Sequence, residues 1–109
     1  MKKSLFAQYC EERLDKTVLE NEHGFVSIIM NSVFYIEDIF IKEESRDKDH
    51  AKKFFFDCLK LAKEKNYREI YGSVLRTAKN PEKMISMMIS HDFKLSHVVG
   101  DMIYFKRGI

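Results

Sequence analysis

Apolar positions recur along this chain at two periods, one helical and one alternating, and the switches between them divide it into nine elements. In residues 3–14 (KSLFAQYCEERL), Phe6, Tyr9, Cys10 and Leu14 fall on one helical face, and Asp15-Lys16 ends the helix. Thr17 to Glu20 read as a short strand, and Asn21-Glu22-His23-Gly24 as a turn. Phe25 to Met30 (FVSIIM) form a second strand, Asn31-Ser32 a tight turn, and Val33 to Ile41 (VFYIEDIFI) a third strand. Lys42 to Asp49 is a polar loop, and Asp47 or Asp49 is placed to cap the following helix. That helix covers residues 50–65, with Ala51, Phe55, Cys58, Leu59 and Ala62 on one stripe. Phe54 and Phe56 widen the stripe and predict cover on more than one side, and Asn66 is the stop. Glu69 to Val74 (EIYGSV) form a fourth strand. After a loop from Leu75, Pro81 opens a helix whose residues 82–90 carry Met84, Ile85, Met88 and Ile89 at helical spacing. Phe93 to Val99 and Met102 to Lys106 close the chain as two strands around Gly100-Asp101.

The order is therefore α-β-β-β-α-β-α-β-β. It predicts an α/β (α+β) fold, with three helices on a mixed, mostly antiparallel sheet of six strands. The two short turns dictate an antiparallel meander, and the strand–helix–strand unit after it dictates a right-handed crossover with parallel strands. Where pairing changes from antiparallel to parallel, neighbouring strands can part beyond their last shared hydrogen bonds. The backbone groups left over need a partner, and an extended amide-bearing ligand such as pantetheine supplies one by pairing as a strand does. The expected place lies between the strand ending at Ile41 and the strand starting at Glu69.

Composition narrows the classes. The chain of 109 residues reads as one domain, residues 1–109, and 45% apolar residues with nine Phe supply a core. No apolar run approaches the roughly 20 residues that span a bilayer. Met1-Lys2-Lys3 is basic, but Gln8, Glu11 and Glu12 break the stretch behind it, which argues against a signal peptide and for a cytoplasmic protein. Cys10 and Cys58 form no CxxC pair and read as reduced, packed thiols. His23, His50, His91 and His97 lack metal-ligand spacing, so no metal site is predicted. A net charge of +2, from 19 basic and 17 acidic residues, is not the excess of a nucleic-acid binder. Lys2, Lys3, Lys52, Lys53, Lys60 and Lys63 are interleaved with acids, and the five Tyr form no basic-aromatic stacking pattern.

Several local sequences, in this order, resemble the GCN5-related N-acetyltransferase (GNAT) superfamily, and among it small phage-encoded acetyltransferase-like proteins. They are Glu22-His23-Gly24-Phe25, the run Tyr35-Ile36-Glu37-Asp38-Ile39-Phe40-Ile41, Ile70-Tyr71-Gly72-Ser73-Val74, and Met102-Ile103-Tyr104-Phe105. The resemblance spans Phe6 to Ile109. It implies an acyl-CoA N-acyltransferase fold, acetyl-CoA or coenzyme A as the small-molecule acyl donor, an amine acceptor, and residence in the host cytoplasm for a phage-encoded chain. It also implies that Arg46-Asp47-Lys48-Asp49-His50-Ala51 corresponds to the family's [QR]xxGx[GA] diphosphate loop. Arg46 and Ala51 match that pattern. Asp49 stands where Gly is expected, and its Cβ and its carboxylate both oppose a diphosphate. Lys48, Lys52, Lys53 and the helix N-terminus supply compensating positive potential.

The same resemblance places the thioester beside the end of the third strand. A backbone amide of Ile39 or Ile41 would hold its oxygen, and Ser73 and Asn80 would contact the pantetheine arm. Glu37 is the favoured candidate base and Asp38 the second. As strand neighbours they are expected on opposite faces, with Glu37 sharing its face with Tyr35, Ile39 and Ile41. The family's acid, a Tyr four residues before a Gly-Phe pair, is replaced: Asp92-Phe93 stands for the pair and Met88 for the Tyr. The cluster of Met84, Met87 and Met88 reads first as core filler and second as a soft wall for the acyl group. Two functions follow: an N-acetyltransferase acting by direct attack of the amine, or a catalytically degraded relative that binds a host or viral protein. A homodimer is compatible with both.

Overall fold

The structure, a computed structural model, describes residues 3–109, so Met1-Lys2 of the basic start lie outside the described residues. Helix α1 runs Leu5–Arg13, and strands β1 (Thr17–Asn21), β2 (Gly24–Met30) and β3 (Phe34–Ile41) form the antiparallel meander. A short 3-10 turn at Glu43–Ser45 leads into α2 (His50–Glu64). Then come β4 (Glu69–Leu75), α3 (Pro81–Ser90), β5 (Lys94–Val99) and β6 (Met102–Gly108). The sheet order is β1-β2-β3-β4-β6-β5, with β3 and β4 parallel and the other pairs antiparallel. All nine expected elements are present in the expected order.

Two clusters on opposite faces of the sheet hold the layers together. The larger joins Val26, Ile28, Phe34, Ile36, Ile70, Val74 and Phe105 of the sheet to Phe54, Phe55, Cys58 and Ala62 of α2 and Met88 of α3. Each fully buried Phe or Ile here contributes about 1.5–3 kcal/mol of transfer free energy. The smaller cluster seats Ala7 and Cys10 of α1 on Val18, with Phe25 against them. Ser4 fixes the start of α1: its Oγ accepts from the Ala7 amide at 3.1 Å and donates to Glu20 of β1 at 2.7 Å. Both thiols are free and buried, and burial with nearby Asp57 pushes Cys58 up to about 12.

Three sequence expectations are corrected. The buried stripe of α1 is Ala7 and Cys10, while Phe6, Tyr9 and Leu14 are exposed. Phe54 is buried but Phe56 is exposed, so α2 is covered on one side only. Neither Asp47 nor Asp49 caps α2: Asp49 occupies the cap position without a side-chain bond, and Asp47 pairs with Lys83 of α3 at 3.2 Å. Both carboxylates are turned by left-handed backbone, φ 61° at Asp47 and 64° at Asp49.

Gly24 permits the tightest approach in the meander. A Cβ there would lie 1.9 Å from the Phe40 carbonyl oxygen, so only Gly lets β2 meet the end of β3.

Candidate active site

Strands β3 and β4 pair through only three positions, Phe34 with Ile70, Tyr35 with Tyr71 and Ile36 with Gly72. Beyond them β3 stays bonded to β2 as far as Ile41, and β4 stays bonded to β6 as far as Leu75. Each strand is held from its outer side, and the seam between them opens. The Lys42 amide donates to the His23 carbonyl at 2.9 Å, on the β2 side. Strand alternation therefore turns the Ile41 and Ile39 amides towards the opening. A cavity of about 450 Å³ occupies it, a size suited to a small ligand. Ile36, Ile39, Phe55, Gly72, Met84 and Met88 line its helix-covered side, and Tyr35, Glu37, Asp38 and Ser73 line the other.

The carboxylates do not alternate as expected. Ser27 pairs with Asp38 while Ile28 pairs with Ile36, which leaves Glu37 as the extra residue of a β-bulge. Ile36 and Ile39 both pack into the core, so the bulge sends Glu37 and Asp38 together to the opposite face. Tyr35 shares that face, and Ile39 and Ile41 do not. Glu37 Oε1 accepts from Lys16 Nζ at 2.7 Å and from Ser27 Oγ at 3.4 Å. Asp38 makes no such bond among the described residues. Partial desolvation, then the charge of Glu37, push its pKa above the usual carboxylate value, and Lys16 opposes them. The hydrogen bond that Lys16 donates to Glu37 holds the pKa of its ammonium above the ordinary value.

The loop before α2 places its cations variously. Arg46 folds back, its Nε donating to the Ile41 carbonyl at 2.8 Å and its guanidinium lying 5.7 Å from the Phe40 ring centre. Lys48 donates to the Glu44 carbonyl at 3.2 Å, and Lys52 sits 6.0 Å from the Phe56 ring centre. The first amides of α2, at His50, Ala51 and Lys52, have no partner within the helix, and Asp49 leaves them free of a side-chain cap. The His50 ring stacks on His23 at 3.6 Å, and His23 Nδ1 meets Ser45 Oγ at 2.9 Å. Desolvation, then His23, Lys48 and Lys53, lower the His50 pKa.

Asp49 and Asp92 both stand where the sequence comparison expects Gly, and both adopt the backbone Gly would (φ 64° and 67°). Asp92 turns the chain off α3 so that Phe93 is buried beneath it. Met88 is buried with its methyl against Gly72, where an added Cβ would lie 2.5 Å away. Ser73 Oγ hydrogen-bonds the Tyr35 hydroxyl across the opening. Asn80 begins α3 in left-handed backbone and is exposed, outside the cavity lining.

The opening thus gathers Glu37, Asp38, Ile39 and Ser73 of the expected residues, with Ile41, Arg46 and the α2 N-terminus beyond its mouth. Lys16 and the Tyr35 hydroxyl are additions that sequence reasoning missed. No pattern marks Lys16, which joins the site only through the fold. The bulge did leave a trace: the core residues Phe34, Ile36, Ile39 and Ile41 step by two, three and two. Chemically, a carboxylate with a raised pKa and a neutral hydroxyl flank one slot, the arrangement needed to take a proton at one point and give one at another. Among the described residues, no group of three or more His, Cys, Asp or Glu is placed to hold a metal, and no helix is long and apolar enough to cross a membrane.

No protein-family model matches the chain, and no curated protein matches it. Solved structures do. An acetyltransferase from Thermus thermophilus superposes with a TM-score of 0.76 at 13% identity, covering 94% of this chain and 70% of its own. PaiA N-acetyltransferase from Thermoplasma acidophilum, solved with coenzyme A, gives 0.71 at 19% identity over 80% of this chain. This chain spans only 54% of that protein's length. The anti-CRISPR protein AcrVA5 gives 0.69 at 14% identity over 82% of this chain and 96% of its own. On this likeness, the chain, with its six-stranded sheet in the order β1-β2-β3-β4-β6-β5 and one short parallel pair, has the fold of the GCN5-related N-acetyltransferases.

Proposed function

We propose that the chain is an N-acetyltransferase that takes its acyl group from acetyl-CoA and passes it to an amine by direct attack. The observation that carries this reading is the seam of β3 and β4, which closes for three pairs and then opens into a slot lined by two carboxylates. The residues present fit the donor. The Ile39 and Ile41 amides offer an extended ligand the bonds that β4 does not make, and the free amides of α2 attract phosphate.

Bound acetyl-CoA would supply an activated acyl carbon. The Ile39 or Ile41 amide would hold the carbonyl oxygen and stabilise the charge that grows on it. Arg46, Lys48 and Lys52, with the His50, Ala51 and Lys52 amides, would hold the diphosphate. Asp38, rather than the Glu37 that strict alternation favoured, is the better base, because its carboxylate has no hydrogen-bond partner among the described residues and its affinity for protons is raised. Glu37, held by Lys16 and Ser27, keeps that affinity high through its charge.

Titration calorimetry with coenzyme A and with acetyl-CoA tests the reading. Saturable heat is expected, with weaker binding in Arg46→Glu and Lys52→Glu. Unchanged affinity in both variants would reject the diphosphate loop. One observation favours a second reading, a binding module without catalysis: the Asp47 and Asp49 carboxylates both flank the start of α2. At contact distance each like-charge pair opposes a phosphate by up to about 4 kcal/mol before screening. Silence at millimolar ligand would reject the acetyl-transfer reading and support the second one.

A further inference from the structure

We propose that the Tyr35 hydroxyl, backed by Ser73, is the acid that returns a proton to the sulfur when the thioester breaks; this rests on the acetyl-transfer reading above. Any amine that attacks a thioester leaves a thiolate behind, and the slot must neutralise it. Of the residues lining the slot, only Tyr35 and Ser73 carry a neutral side-chain O–H. The remainder are apolar side chains, thioethers, Gly72, and the carboxylates Glu37 and Asp38.

Their position matches the task. Tyr35 lies one residue before the last seam pair, Ile36 with Gly72, and Ser73 one residue after it. Their hydrogen bond therefore spans the point where the strands part. Of the two, the phenol is the stronger acid; its ordinary pKa near 10 lies above the roughly 8.5 of a thiol, so its proton is shared with the sulfur as the C–S bond breaks and the transfer completes as solvent reprotonates the tyrosinate. Burial, opposed by the Ser73 bond, holds Tyr35 above its usual value, so its proton is in place at neutral pH. Tyr104, Glu37 and Asp38 also act on it, in the direction that keeps it protonated. His97 stacks on Tyr104 at 4.6 Å and fixes the neighbouring ring.

The proton count closes. The amine lone pair forms the new C–N bond, the C–S bond breaks, and its electron pair remains on sulfur. Nitrogen loses one proton to Asp38, sulfur gains one from Tyr35, and solvent carries the proton from Asp38 back to the tyrosinate.

The test is the ultraviolet titration of the thiol of coenzyme A bound to the protein. A donor at the sulfur stabilises the thiolate, so Tyr35→Phe is expected to raise the bound thiol's pKa by about one unit, and Ser73→Ala by less. Acetyl transfer to hydroxylamine should fall about 100-fold in kcat in Tyr35→Phe, the lower end of the range of lost acid catalysis, with KM for acetyl-CoA within about twofold. An identical thiol titration in wild type and both variants, with coenzyme A still bound, would overturn the acid assignment alone. Failure of the wild type to bind coenzyme A would overturn the acetyl-transfer reading and this inference together.

Discussion

The two ends of the β3–β4 seam are built from the same two strands and have opposite characters. At the closed end Phe34 pairs with Ile70 and Ile36 with Gly72, and the side chains on the helix-covered face are apolar and buried. At the open end, over the next five residues from Glu37 to Ile41, β3 presents an ion pair, a carboxylate with raised pKa and two amides turned to the gap. The closed end fixes the angle of the strands, and the open end uses it. A parallel pair only three positions long suffices because β2 and β6 hold each strand from outside.

This contrast can be broken most severely at the closed end. Phe34 is fully buried, so Phe34→Ala should cost about 3–5 kcal/mol, read by chemical denaturation. Second comes Gly24→Ala, at the open end, where a new methyl meets the Phe40 carbonyl. A loss of about 2–3 kcal/mol is expected, with weaker amide-exchange protection confined to the β2–β3 pairs beyond Ser27. An effect at Gly24 as large as that at Phe34 would show that the open end also carries the fold.

A smaller effect, of the other sign, is expected at Asp49. Asp49→Gly relieves about 1 kcal/mol of left-handed backbone strain and removes a carboxylate from the diphosphate loop. Melting temperature should rise by several degrees, and coenzyme A should bind about tenfold tighter, a gain of about 1.4 kcal/mol by calorimetry.

The smallest and most specific effect is on pH dependence. Asp38 must be ionised to accept a proton, so kcat/KM falls as pH drops through its raised pKa. Glu37→Gln removes a charge that raises that value, and the acidic limb should move to lower pH. Lys16→Met removes the charge that lowers it, and the limb should move to higher pH. Identical limbs in both variants would exclude Asp38 as the base.

Much of this architecture was readable from the chain. Alternation in FVSIIM and in VFYIEDIFI placed two strands, and the strand–helix–strand run from Val33 to Val74 placed the crossover and the opening. Asp49 and Asp92 were recognisable as substitutes for Gly only through the family patterns the chain resembles, and both torsions are positive. The face of Asp38, Ile39 and Ile41 was not readable from strict alternation, because one inserted residue reverses every side chain on one side of it. Nor was the buried stripe of α1, where small Ala7 makes the close contact and the larger Phe6 and Tyr9 point outward. Side-chain size is a poor guide to which face of a short helix approaches a sheet. Lys16 reaches Glu37 only because α1 returns the chain across β1, and no local sequence encodes such a meeting.

The two buried thiols lie beneath different helices, Cys10 under α1 and Cys58 under α2. Neither reacts while its layer is shut. Pulsed alkylation followed by mass measurement therefore times the detachment of each helix separately, with two natural reporters and no engineered label. A chain that sheds α1 first would modify Cys10 early and keep Cys58 silent until the sheet itself comes apart.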